Sequence, residues 1–230
     1  MAGMVPDPVD AGPADTPLPP DLPARLRAAT STLHAEAERS GLMAALLRGQ
    51  GGRAAYCALL RNLHAIYAVL EPANDAALVD PALHRADALA QDLAHLHGPR
   101  WREQRALAAA TQAYVERLQA LVQGRSRALA AHAYVRYLGD LHGGQVLRGL
   151  VRRALGLDAP GAATAVDPAA PGTRFYDFGD AARVRALRAA FRQRLAALPL
   201  GAGEQQAVVD EACWAFVQHR RIFEQLQPSA

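Results

Sequence analysis

The chain has 230 residues, 51% hydrophobic but only 6% aromatic, long enough to bury one sizeable core and read as one domain. Alanine, leucine and arginine dominate and β-branched residues are sparse, which argues against sheet and predicts an all-α fold. A net charge of +3 with both signs interspersed, no apolar run near the ~20 residues of a membrane span and no signal-peptide pattern exclude nucleic acid and membrane as expected partners and imply a cytoplasmic protein.

Residues 1–20 hold six of the fifteen prolines, with Asp7, Asp10 and Asp15 among them. Such a composition does not bury enough surface to order itself, so a disordered tail is expected ahead of a domain over 21–227. The first helix is expected to start at Asp21-Leu22-Pro23, with aspartate as cap and proline in the first turn, and to end near Ser40-Gly41. After the break Gly49-Gln50-Gly51-Gly52 comes a second helix, in which Tyr56, Leu59, Leu60, Leu63, Ile66, Tyr67 and Leu70 recur at spacings of three and four. Pro72 limits it. Further helices are expected between Pro81 and Gly98-Pro99, from about Glu103 to Val122, and over 180–198 and 204–226, with a loop over about 157–173. Cys57 and Cys213 lack any pairing motif and are expected as free thiols.

The segment from Ser126 to Leu155 reads as one long helix, yet it contains Gly139, Gly143 and Gly144. Each interior glycine costs about 1 kcal/mol relative to alanine, so three weaken the segment by roughly 3 kcal/mol and something should offset that. Close packing of another helix is one explanation. The other is that the backbone lies against a flat ligand, with Asp140 as a carboxylate at the mouth of the site.

The run Ala131-His132-Ala133-Tyr134-Val135-Arg136-Tyr137-Leu138-Gly139-Asp140-Leu141-His142-Gly143-Gly144-Gln145-Val146-Leu147 resembles the distal helix of the haem oxygenases, without gaps. Leu26 to His34 with Glu38, Leu63-His64-Ala65-Ile66-Tyr67, and Phe175-Tyr176-Asp177-Phe178 are similar to the same family in the same order, extending the resemblance over about 22–226.

The resemblance implies a single compact domain of about seven or eight helices, with haem between the first helix and the glycine-kinked one. His34 matches the proximal iron ligand, and Glu38, one turn on, is placed to accept its other ring N–H. Arg27, Tyr134, Arg188 and Arg192 match the contacts to the haem propionates, and Gly144 belongs with the haem-binding positions. Asp140 and Arg136, with Gly139 and Gly143, match the distal side, where a proton is supplied so that activated O2 attacks the ring. Haem would then be both cofactor and substrate, cleaved at the α-meso carbon to biliverdin IXα, CO and ferrous iron. Electrons would come from a ferredoxin- or flavodoxin-type donor or a reductase, since no G-x-G-x-x-G motif appears in the chain. A monomer is expected.

Two departures stand out. His64 occupies the position read as the tyrosine of the second-helix pocket, and His142 replaces the serine common between the glycines, so both imidazoles are expected near the distal site. His132 is expected to be buried and structural, whereas His84, His95, His97 and His219 are expected at the surface. A haem carrier of the same fold is the alternative, argued against by Asp140. A diiron oxidase would need inward Glu-x-x-His pairs, and the sequence has none.

Overall fold

The computed structural model describes residues 21–104, 106–157 and 171–227. The proline-rich tail and most of the expected loop after residue 157 lie outside them. The described residues form helices and turns without strands: α1 (Leu22–Glu38), α2 (Gly41–Leu47), α3 (Arg53–Leu70), α4 (Ala86–His97), α5 (Ala109–Gln123), α6 (Leu129–Ala133), α7 (Gly139–Ala154), α8 (Ala181–Ala196) and α9 (Ala202–Gln225). A π-helical turn, Tyr134–Leu138, joins α6 to α7. Counting that joined rod once gives eight helices.

Local chemistry sets the ends. Asp21 accepts from the Ala24 N–H at 2.9 Å, with Pro23 in the first turn, and Asp180 accepts from the Arg183 N–H at 2.7 Å, so both helices start on a carboxylate cap. Between α1 and α2, Gly41 takes φ +45°. A Cβ there would lie 2.1 Å from the Phe223 carbonyl oxygen, so only glycine lets this corner pass the end of α9.

The whole α3 stripe, from Tyr56 to Leu70, is buried as its spacing requires. The 24-residue α9 packs against α1, α2, α5 and α6 and presents Ala212, Ala215, Phe216, Ile222 and Phe223 to the core. Helix α5 begins six residues later than expected. Tertiary bonds explain the delay: Asn62 Oδ1 accepts from the Ala108 N–H at 2.9 Å and Arg61 donates to Gln104, holding the preceding segment against α3. Both cysteines are free thiols, Cys57 buried.

Candidate functional site

Helices α1 and α9 on one side and the α6–π–α7 rod on the other enclose a cleft of about 710 Å³, within the roughly 300–1,000 Å³ typical of small-molecule sites. It continues into a smaller inner chamber of about 100 Å³. His34, Glu38, Val135, Gly139, Gly143 and Phe216 line both spaces. The inner walls include Met43, Leu59, Leu63 and Phe223, with Arg136, Asp140 and His219 as polar groups.

The glycines divide by role. A Cβ built on Gly139 or Gly143 would meet nothing within 4 Å, so these two leave the helix backbone bare toward the cleft. Gly144 instead lies against Tyr176, whose Cδ1 would sit 3.1 Å from an added Cβ. Close packing therefore accounts for Gly144 and leaves Gly139 and Gly143 to the cleft. The π turn just before them breaks the regular α-helical register at this point.

His34 is half-buried on α1, its ring edge-on to Phe216 at 5.7 Å. Its Nδ1 is 3.7 Å from Glu38 Oε2, and both side chains are nearly half exposed. That is a loose ion-pair distance, short of the hydrogen bond expected from the sequence. At the outer rim, Tyr134 OH is 3.3 Å from Thr30 Oγ1. Arg27 and Arg192 line the trough, and Arg188 Nη1 lies 3.1 Å from His142 Nε2.

Behind the glycines lies a buried polar cluster. Arg136 Nη2 donates to Asp140 Oδ1 at 2.7 Å and Nε to Tyr67 OH at 3.4 Å, while the Tyr67 hydroxyl donates to Asp140 Oδ2. Burial raises the Asp140 carboxyl above its ordinary range, opposed by the Arg136 charge and the Tyr67 bond. His219 completes the set. Its Nδ1 donates to the Ala215 carbonyl at 2.8 Å, which fixes the tautomer and leaves Nε2 to accept from Arg136 Nη1 at 2.8 Å. Burial, reinforced by Arg136, pushes the His219 pKa down to about 3, so the ring is neutral.

The family model Heme oxygenase matches residues 20–225. The chain belongs to the haem oxygenase family. Haem oxygenase 1 of Homo sapiens is 35% identical over 91% of this chain and 73% of its own length, and haem oxygenase 1 of Nostoc sp. is 32% identical over 90% and 86%. Among solved structures, haem oxygenase-2 from Synechocystis sp. in complex with haem and NO is 32% identical, covering 90% of this chain and 85% of that chain at a TM-score of 0.81. Haem oxygenase-1 from the same genus, in complex with haem, gives 0.78 at 32% identity over 90% and 92%. The all-α haem oxygenase fold expected from the sequence is the fold observed.

In this haem oxygenase the expected site residues converge on one cleft, with Arg188 at its rim through His142. Two expectations need correction. His219 is buried at 3% exposure rather than on the surface, because it follows Ala215 and Phe216 by four and three residues on the inward face of α9. His64 does not line the inner chamber: it packs edge-on against Trp101 at 4.9 Å, and the second-helix tyrosine bonded to Asp140 is Tyr67, three residues on. His142 does reach the trough.

His132 is buried as expected, bonded to Tyr114 and Glu211. His95 and His97 are exposed and His84 is half-buried. The chemistry of Tyr67 was hidden in an apolar stripe. The signal for it was a buried tyrosine, whose hydroxyl needs a partner.

Proposed function

We propose that the cleft holds haem and that this haem oxygenase opens its ring with O2 and electrons at the α-meso carbon, giving biliverdin IXα, CO and ferrous iron. The observation that carries this is the bare backbone of Gly139 and Gly143 facing the same cleft as His34. A flat ligand fits where a Cβ would otherwise project. His34 would hold the iron, with Glu38 near its other ring nitrogen. Arg27, Tyr134, Arg188 and Arg192 suit carboxylates at the outer rim, because a guanidinium pairs a carboxylate with two parallel N–H groups.

Bound haem supplies the O2-binding iron and is itself the substrate. The chain's share is orientation and proton placement. Arg136, held by His219, keeps the Asp140 carboxylate fixed beside the glycines, where it can order a proton donor near the reacting oxygen. The bare backbone of Gly139 and Gly143 leaves room for a flat ring while Phe216 and Met43 keep the walls apolar. Electrons come from a ferredoxin- or flavodoxin-type donor or a reductase, and the chain acts as a cytoplasmic monomer over residues 21–227. No described helix is long and apolar enough to cross a membrane.

The test is to add haem and a reductant under air and follow the absorption spectrum. Conversion to a green bile pigment with CO release is expected. A haem spectrum that persists under reduction and air would replace this reading with that of a carrier.

A further inference from the structure

Two histidines in this chain use the same device. His219 donates Nδ1–H to the carbonyl four residues back and offers Nε2 to Arg136. His142 likewise has the backbone of Leu138, four residues back, on its other side, and its Nε2 meets Arg188 Nη1 at 3.1 Å. A guanidinium has only donors, so the contact requires an unprotonated Nε2 on His142. Burial, then Arg188 and Arg192 from α8, favour the neutral ring against the backbone bond, with His34 across the trough acting in the same direction. Geometry and charge agree on a neutral imidazole that accepts from an arginine.

The His219 pair fixes the inner end of the site, and the His142 pair lies at its outer rim, bridging α7 to α8. Among the described residues, His142 is the hydrogen-bond partner found for Arg188. With Nη1 committed, Nη2 and Nε remain as a two-pronged edge of fixed direction, the form in which arginine best receives a carboxylate. We propose that His142 is a positioning residue for Arg188, setting the direction in which that arginine meets a haem carboxylate and so the rotation of haem in its plane. This rests on the reading of the rim arginines given above.

The experiment is a double-mutant cycle on haem dissociation, using the full chain with His142→Ala, Arg188→Ala and the double variant, together with His142→Gln and the biliverdin isomer ratio of each. His142→Ala should weaken haem binding about five-fold, the size of one hydrogen bond, and broaden the isomer ratio. It should change neither quantity once Arg188 is alanine. His142→Gln, whose amide oxygen accepts, should recover most of the loss. Equal effects of His142→Ala in both backgrounds, or none in either while Arg188→Ala still weakens binding, would overturn the proposal and leave Arg188 as a carboxylate partner. Unchanged haem affinity in Arg188→Ala would remove that partner and the proposal with it.

Discussion

Arg136 is held between two acceptors on opposite sides: Nη1 donates to His219 Nε2 at 2.8 Å and Nη2 to Asp140 Oδ1 at 2.7 Å. The neutral histidine makes this possible, since a protonated one would put two cations in contact inside the core. His219→Ala should therefore leave an N–H of Arg136 unpaired and cost about 1–3 kcal/mol of stability, with biliverdin yield falling more than haem affinity. Chemical denaturation and haem titration of the same variant check the two parts.

The pH dependence of that histidine has a definite sign. Its folded pKa of about 3 lies below the ordinary 6.5, so the unfolded chain takes up the proton first and stability falls as pH drops from 6.5 toward 3. Asp92 acts in the opposite sense. Fully buried, it accepts from the Arg174 and Phe175 N–H groups at 2.9 and 2.8 Å, and burial raises its pKa from 3.8 to about 6 despite those bonds. Below 3.8 it is protonated in both states, and its contribution to stability declines as pH rises from 3.8 to 6, by up to about 3 kcal/mol. Urea melts of wild type and Asp92→Asn across pH 4–7 should converge in the acid and separate above it, with the variant relatively more stable at pH 7 than at pH 4.

His34→Ala should still admit haem to the apolar cleft but stop ring opening, and added imidazole should restore turnover. Biliverdin formed at the wild-type rate without imidazole would show that His34 is not the iron ligand.

For Asp140→Ala, haem affinity should stay close to wild type while the rate of biliverdin formation falls by about 10²–10⁴-fold, the usual worth of a placed proton-transfer group. Single-turnover spectra in the presence of reductant distinguish this from a folding defect.

Gly143→Leu offers a test that separates stability from binding. Replacing an interior helical glycine should stabilise the chain by somewhat under about 1 kcal/mol, because its Cβ meets nothing within 4 Å. The longer side chain then projects into the cleft, and haem binding should be lost as the melting temperature rises. The same change at Gly144 should destabilise, since Tyr176 is already in contact there.

The sequence made the helices legible because their apolar residues recur at three and four, as in α3, and because an aspartate cap marks a start, as at Asp21. Gly139, Gly143 and Asp140 were legible as a candidate site because interior glycines are costly. Partnerships formed across the fold were not. Nothing near Arg136 in the chain indicates His219, 83 residues away, and Tyr67 looks like any other member of its stripe until the rod packs over it. His64 was misassigned for the same reason, since nothing near it in the chain indicates Trp101, against which it packs. The late start of α5 also depends on a distant side chain, Asn62.

The π turn at Tyr134–Leu138 sets the phase of everything beyond it. Each turn of a π-helix holds more residues than a turn of α-helix, so if these same five residues wound as regular α-helix, α7 would be out of phase by one residue and turned about 100° against α6. Gly139 and Gly143 would then present side-chain-bearing neighbours to the cleft, and Asp140 would swing away from Arg136 and Tyr67. The rod is thus sensitive to how these five residues wind as well as to which residues they are. A single-codon deletion between Tyr134 and Leu138 that straightens the turn should keep Gly139, Gly143 and Asp140 in phase with α6, so that its damage comes from the residue lost and not from a turned α7.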